Sequence, residues 1–165
     1  MGNYGTKRLN FYRKIKRNKD GTLRLRLSVE ERQTLQDLPK QLKELLNSDD
    51  ESLKRLFPPA YQDDIAQEIE YQQLMREDLL ASHLQNLEIL EQTIDAESIT
   101  EEQAFVWLKA LNEIRLVIGT RLDITEDSLD ELQNLPSTDP SLMGLAIYNY
   151  LSWLQEQIVI ALEAN

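Results

Sequence analysis

The chain has 165 residues, of which 41% are hydrophobic and 28% are charged. This length and apolar content suffice for one self-contained hydrophobic core, so we expect a single domain over residues 1–165. The absence of cysteine and the single histidine exclude disulfides, thiolate nucleophiles and the usual cysteine- or histidine-rich metal sites. No apolar run approaches the roughly 18 residues that span a bilayer and no secretory leader is recognisable, so a cytoplasmic protein without membrane contact is expected.

Charge is divided unevenly along the chain, whose formal net charge is −11. Residues 7–26 contain nine basic residues and one acidic residue, a net charge of +8. The other residues contain nine basic and 28 acidic ones, a net charge of −19. Such asymmetry suggests a polyanion or an acidic partner for the basic end.

The basic segment, residues 7–27, predicts a β-hairpin. Over residues 22–27, leucines alternate with polar residues at the two-residue period of a half-buried strand. The partner strand is expected at about residues 9–17, and the connection between them ends in Asp20-Gly21, a dipeptide that hairpin turns favour. Because two strands alone are marginally stable in water, the leucine face should pack on the rest of the chain.

The remainder, residues 28–163, predicts a compact bundle of about five or six helices. Ser28 with Glu31 and Thr100 with Gln103 form capping boxes, which mark two helix starts. Apolar residues recur at three- and four-residue intervals through the segments that follow. Five of these helices can be placed. The first begins at Val29, the second covers about 64–94, the third runs from Thr100 to about Leu122, the fourth covers about 126–132, and the fifth runs from Asp139 to about Leu162.

Three positions in these helices carry specific expectations. Pro39 either kinks the first helix or is a first-turn residue of a second one. Gly119 lies in an apolar stripe and costs about 1 kcal/mol relative to alanine, so a closely packed neighbour or a helix end is expected there. Asp139-Pro140 should be the N-cap and first-turn residue of the last helix. That helix is apolar around more than half its circumference and is expected at the centre of the bundle.

Four local motifs resemble those of one family. Each is weak alone, but together they occur in order from the hairpin to the last helix, and the set resembles the DUF2017 family of actinobacterial proteins. The motifs are residues 55–61 (RLFPPAY), residues 107–112 (WLKALN), residues 115–116 with 119–122 (RL and GTRL), and residues 150–151 with 153–156 (YL and WLQE).

The resemblance implies a regulatory role more than a chemical one. The family is largely uncharacterised, and members have been linked to transcriptional regulation under oxidative stress through a pair of redox-sensing cysteines. This sequence departs from that pattern, because it contains no cysteine and a thiol switch needs thiolates. The resemblance is therefore compatible with a partner-binding role, but not with cysteine-based redox sensing.

The basic hairpin is the best candidate site that the residues themselves suggest. Arg24 and Arg26 are expected opposite the leucine face, where a two-stranded ribbon could present cations to phosphates or to an acidic protein surface. Three interpretations stay open: the cations satisfy this domain's own carboxylates, bind an acidic protein partner, or bind nucleic acid. Nucleic acid is disfavoured by the net charge of −11, which repels it at long range. The candidate residues are Arg13, Lys14, Lys16, Arg17, Arg24 and Arg26.

A second polar group lies on or beside the apolar stripe that ends near Leu122. Because a buried arginine needs a carboxylate, we expect structural ion pairs that fix how the last helix docks. A substrate-binding arginine cluster is the alternative. The residues are Asn112, Arg115, Arg121, Glu126 and Glu156, the last two being the expected carboxylate partners.

Catalytic and cofactor motifs are not found in the sequence. His83 has Leu80 three residues before it, so the Glu-x-x-His pair of di-iron bundles is absent, as are a glycine-rich phosphate loop and a Ser/His/Asp set. Trp107 and Trp153 fall within apolar stripes, which favours core packing over a ligand pocket. We expect a non-enzymatic regulatory protein with a protein partner and without cofactor or metal. Direct nucleic-acid binding is the alternative, and an enzyme with an arginine–carboxylate pocket is the third hypothesis.

Overall fold

The structure, a computed structural model, describes residues 13–125 and 127–164. Within those residues it is mostly α-helical and carries a small N-terminal antiparallel sheet, which confirms the predicted fold class. The helices are α1 (Val29–Leu46), α2 (Ile65–Thr93), α3 (Glu101–Arg121), α4 (Ser128–Gln133) and α5 (Ser141–Glu163), with one 3-10 turn at Glu51–Leu53; the strands are β1 (Ile15–Arg17), β2 (Leu23–Leu25) and β3 (Ser98–Ile99).

The predicted hairpin is formed by β1 and β2, and residues 9–12 of the expected first strand lie outside the described residues. They pair antiparallel, with Ile15 opposite Leu25 and Lys16 opposite Arg24. Gly21 has a φ of +88°, a left-handed conformation that glycine adopts without steric cost and that explains the Asp-Gly signal. The third strand, β3, pairs with the other side of β2 and was not predicted. Its two residues are too few to show a strand period in the sequence.

The capping boxes begin α1 and α3 as predicted. At α1, the Ser28 hydroxyl accepts from the Glu31 backbone N–H at 3.1 Å, and the Glu31 carboxylate accepts from the Ser28 N–H at 3.2 Å. Thr100 and Gln103 form the same reciprocal pair at α3, with distances of 3.1 and 2.9 Å. Each box satisfies two backbone donors that a helix start otherwise leaves unpaired.

The structure rules out one of the two alternatives for Pro39 and corrects the expectation for Asp139-Pro140. Pro39 does not start a second helix, because α1 continues through it to Leu46. Its ring is buried on the same face as Leu35 and Leu42, so burial offsets the backbone hydrogen bond that proline cannot donate. The last helix begins at Ser141, so Pro140 occupies the cap position itself. Asp139 still accepts from the Ser141 N–H at 2.9 Å.

The hydrophobic core surrounds α3, not α5. Helix α3 packs against α1, α2, α5 and the 3-10 turn, whereas α5 packs against α3, β1 and α4. At the centre, Trp107 is fully buried and its indole N–H donates to the Thr93 hydroxyl at 2.7 Å. The last helix keeps one side in solvent, where Met143 is 69% exposed. A larger part of the circumference of α5 is therefore apolar than is buried.

Close packing at Gly119 is confirmed. A Cβ atom at this position would lie 3.2 Å from the Tyr148 ring, and α3 ends two residues later at Arg121. Because Gly119 has no side chain, the Tyr148 ring of α5 can approach the α3 backbone. Across the described ranges, no helix combines the length and apolar content that crossing a membrane requires.

Candidate functional site

The cations of the hairpin divide into an inner and an outer set. In the inner set, Lys14 Nζ lies 2.9 Å from Glu31 Oε1. Arg17 lies 3.2 Å from Glu101 Oε2 and also donates to the Leu162 carbonyl at 3.0 Å. These contacts attach β1 and its flank to α1, α3 and α5. Part of the hairpin charge is thus used within the domain, which was one of the three interpretations.

The outer set consists of Lys16, Arg24 and Arg26, which we call the outer basic face. All three side chains are exposed, and Lys16 stands directly opposite Arg24 across the two strands. Arg26 follows two residues after Arg24 and therefore projects from the same side of the ribbon. Among the acidic side chains that the structure describes, none lies within ion-pair distance of these three cations.

A groove of about 590 Å³ adjoins the outer basic face, between the hairpin and the end of α5. Its walls include four cationic residues and one acidic residue, Asp20, together with two alanines of the helix end. The cationic excess makes the groove more suitable for an acidic side chain or a phosphate than for a cation. The four cationic residues are Arg13, Lys16, Arg17 and Lys19, of which Arg13 and Arg17 are half-buried.

Glu31 joins the hairpin to two helices. Besides the capping contact with Ser28, its carboxylate accepts from Lys14 at 2.9 Å and from the Tyr150 hydroxyl of α5 at 2.8 Å. Burial alone would raise the pKa of Glu31, but the hydrogen bonds from Lys14, Tyr150 and Ser28 outweigh it and hold this pKa below its usual value. Only the capping role of Glu31 was visible in the sequence, because its other partners are distant along the chain.

Arg115 connects α3 to α5 without a carboxylate. It donates to the Asn112 side-chain oxygen at 3.1 Å and to the Ser152 hydroxyl of α5 at 3.3 Å. Its guanidinium carbon lies 5.8 Å from the centre of the Tyr148 ring. Glu156, one of the two carboxylates expected to pair with the arginines, is exposed on α5. The structure therefore surrounds the Arg115 guanidinium with neutral polar groups and an aromatic face, while its buried Nε has no hydrogen-bond partner among the described residues.

Arg121 faces the connector between α1 and α2. It lies 3.7 Å from the Asp50 carboxylate and donates to the Ser52 hydroxyl at 3.3 Å. Asp50 in turn accepts from the Ser52 N–H at 2.8 Å, and hydrogen bonds from Ser52 hold the pKa of Asp50 below its usual value. Glu126, the other expected partner, lies outside the described residues.

A largely buried histidine–carboxylate hydrogen bond was missed by the sequence analysis. His83 Nδ1 lies 2.8 Å from Glu113 Oε1, and His83 Nε2 lies 2.8 Å from the Leu56 carbonyl. Burial lowers the pKa of His83, but the hydrogen bonds to Glu113 and Leu56 outweigh burial and leave this pKa above its usual value. Asn86 also donates to the Glu113 carboxylate at 2.9 Å.

One signal could have indicated this pair. Glu113 falls three residues after Ala110 and four before Val117, on the buried stripe of α3. A carboxylate at such a position needs a partner, and the single histidine was available. With both ring nitrogens engaged, His83 serves to hold α2, α3 and the residue 56 carbonyl together. The described residues include no group of three or more side chains that could hold a metal ion.

Fold and surface together define a mostly helical protein that carries a basic antiparallel sheet on an acidic body. The chain belongs to the family described as "Domain of unknown function (DUF2017)", which it matches over residues 12–162. This confirms the resemblance seen in the motifs.

A curated relative is known from Mycobacterium leprae (strain TN). It is named "Putative oxidative stress regulator AosR" and is 30% identical to this chain over 134 residues. The alignment covers 71% of this chain and 60% of that relative, so this chain spans about 60% of the relative's length. No solved structure matches the chain.

Proposed function

We propose that this protein is a cytoplasmic, non-enzymatic regulatory protein that binds an acidic surface of a protein partner through its outer basic face. The observation that carries the proposal is the exposure of Lys16, Arg24 and Arg26 on one side of the hairpin, while Lys14 and Arg17 are anchored to the body. Because the three cations of the outer basic face remain in solvent while their neighbours are already paired, they are available to a partner.

The hairpin presents these cations from a fixed support. On its inner side, Ile15 is 1% exposed and Leu23 is fully buried. Because packing holds the strands in place, binding would not have to order the backbone, and less binding energy is lost to entropy. A partner with two or three carboxylates at strand spacing fits this surface.

The regulatory part of the proposal follows the relatives. The curated relative is named for oxidative stress regulation, and this chain shares its family. These 165 residues contain no cysteine, so no thiol pair within them can act as the switch. Regulation would then depend on whether the partner is bound, with any redox sensing located elsewhere than in these residues.

Nucleic acid is the second candidate for the outer basic face. In its favour, Lys16 and Arg24 are paired across a two-stranded ribbon, a form that can enter a DNA groove. Against it, the net charge of −11 repels a polyanion at long range. An enzyme built on an arginine pocket has less support, because Arg115 and Arg121 are both engaged by side chains of the domain itself.

Charge reversal of the outer basic face tests the proposal. We expect the triple variant Lys16→Glu, Arg24→Glu, Arg26→Glu to lose specific protein partners that wild type captures from a native lysate, as measured by quantitative mass spectrometry. The matched control is Lys40→Glu with Lys109→Glu, which reverses exposed lysines on α1 and α3. Capture of the same proteins by wild type and by the triple variant would contradict a hairpin interface.

Fluorescence anisotropy with duplex DNA distinguishes the second candidate. Binding to DNA would weaken with salt, with a log–log slope of about −0.9 for each phosphate neutralised. If wild type and the control bind DNA in a salt-sensitive way and the triple variant does not, the outer basic face binds nucleic acid and the proposed protein partner is wrong.

A further inference from the structure

The first half of α2 is exposed although its sequence is patterned for packing. Ile65 is 78% exposed and Ile69 is 54% exposed, whereas Leu87 and Leu90 in the second half are fully buried. All four belong to one stripe, because steps of three and four residues lead from the buried pair back to the exposed pair. That stripe runs through positions 65, 69, 72, 76, 80, 83, 87, 90 and 94. The core-facing side of α2 therefore continues past the core.

A groove of about 340 Å³ lies along the exposed part of this stripe. Tyr61, Ile65 and Ile69 line it, and Tyr61 is 46% exposed. The Glu68 carboxylate accepts from the backbone N–H groups of Ala60 and Tyr61 at 3.0 and 2.7 Å, which holds the segment before α2 against the helix. The groove is thus a formed feature with an apolar floor.

The segment that forms the groove has a negative net charge. Residues 61–69, which include every residue that lines the groove except Pro59, contain three acidic residues and no basic one. The next basic residue along the chain is Arg76. Arg76 is directed to the body, where its guanidinium carbon lies 4.1 Å from the centre of the Phe57 ring. Charge at the rim of the groove is therefore negative. The three acidic residues are Asp63, Asp64 and Glu68, of which Glu68 lines the groove.

We propose that this face of α2, comprising Tyr61, Ile65, Glu68 and Ile69, docks a basic amphipathic helix of a partner protein. Apolar side chains at three- and four-residue spacing on the incoming helix would cover Ile65 and Ile69, as one helix packs on another. Lysines and arginines beside that stripe would meet the acidic rim. The site is separate from the outer basic face and selects the opposite charge.

Other occupants fit the same observations less well. A second copy that offered this face would place acidic rim against acidic rim. The outer basic face of a second copy would bring Lys16, Arg24 and Arg26 but no apolar side chain among the described residues of that face. An anionic lipid surface would be repelled by the rim. Only a partner that is both apolar and basic matches the groove and its charge.

Calorimetry with a synthetic peptide tests the proposal on the full chain. The probe is an amphipathic peptide of four helical turns with leucines at i, i+3, i+4 and i+7 repeats and lysines at the other positions. The second probe has the same lysines with serine in place of leucine. The variant Ile65→Ser, Ile69→Ser removes the apolar floor, and Leu74→Ser is the matched control, since Leu74 is 68% exposed on the opposite side of the same helix.

We expect the leucine peptide to bind wild type and Leu74→Ser equally and to bind the double variant at least about tenfold more weakly. Serine in the peptide should weaken binding to wild type by a similar factor. Equal binding of the leucine peptide to the double variant would overturn the proposal. So would equal binding of the two peptides to wild type, which would indicate charge attraction alone.

Thiol labelling separates the remaining occupants, because the chain has no cysteine of its own. Full-length Ile69→Cys and Leu74→Cys variants are labelled with a maleimide. The proposal is supported if both cysteines are labelled at the same rate and the leucine peptide, but not the serine peptide, slows labelling of Ile69→Cys alone. Slow labelling of Ile69→Cys in dilute protein would show that this chain itself covers the face, and slowing with protein concentration would show a second copy. Either result would overturn a partner helix.

Discussion

His83 is the single histidine of the chain, and both of its ring nitrogens face acceptors. A neutral imidazole has one N–H, so it could donate to only one of its two neighbours, the Glu113 carboxylate or the Leu56 carbonyl. The imidazolium form satisfies both and places a positive charge against the Glu113 carboxylate. Burial penalises that charge, and the two hydrogen bonds more than compensate for it.

The contribution of His83 to stability should therefore fall as the pH rises through the pKa of its folded state. The pKa of His83 is above its usual value in the folded state, so its stabilising contribution is complete below the unfolded pKa and is lost as the pH rises through the folded pKa. We expect the free energy of unfolding of wild type, relative to His83→Gln, to decrease from about pH 6 to about pH 8. Urea denaturation across that range measures it.

Glu113→Gln is the control for this prediction. It removes the countercharge and keeps an acceptor near His83, so the pH dependence relative to its own His83→Gln double variant should be smaller. A difference between wild type and His83→Gln that does not change with pH would contradict a charged His83 in the folded protein.

At the scale of elements, two capping boxes of the same type have different surroundings. Gln103 makes only the capping contact with Thr100 among the described side-chain hydrogen bonds. Glu31 also accepts from Lys14 and Tyr150, and so connects α1 to the hairpin and to α5. The same local signal therefore involves a residue that only caps its helix in one case and a residue that also joins three elements in the other.

Glu31→Ala should cost more stability than Gln103→Ala. Both variants lose one half of a capping box, but the first also leaves the Tyr150 hydroxyl and Lys14 without their acceptor. We expect an additional loss of about 1–3 kcal/mol for Glu31→Ala. Guanidinium denaturation of both variants measures it, with Tyr150→Phe as a control that removes a single donor. Equal losses for the two alanine variants would show that the junction adds nothing.

At the scale of the whole molecule, the hairpin and the helices share one core. Ile15, Leu23 and Leu25 belong to the same buried cluster as Leu111 and Leu154. A hairpin alone is marginally stable, so its strands depend on the helices, and the helices on the leucines that cover them. The basic hairpin formed by β1 and β2 is therefore part of the folding unit and not an appended arm.

Leu23→Ala should destabilise the helices together with the sheet. Leu23 is fully buried, and replacing a buried leucine by alanine costs about 2–5 kcal/mol. We expect circular dichroism of the helices and fluorescence of Trp107 and Trp153 to report the same, lowered unfolding midpoint. Leu74→Ala, at an exposed position, should change it little. A fluorescence transition unchanged by Leu23→Ala would show that the hairpin unfolds independently.

The elements that could be predicted are those whose signals are local. The capping boxes, the Asp20-Gly21 turn and the three- and four-residue spacing of apolar residues each involve neighbours in the chain, so the starts of α1 and α3 and the hairpin could be derived from the sequence. By contrast, β3 has two residues, and its pairing with β2 depends on contacts more than 70 residues apart. Continuation of α1 through Pro39 was equally undetermined, because burial of the proline ring depends on the core.

For the candidate surfaces, the sequence by itself determined which residues are present and tertiary structure decided which are available. Six hairpin cations were predictable, but only the folded chain shows Lys14 and Arg17 paired with the body while Lys16, Arg24 and Arg26 stay exposed. The His83–Glu113 pair and the uncovered stripe at Ile65 likewise depend on where helices end relative to one another. Periodicity records which side of a helix is apolar, whereas burial depends on whether another element reaches it.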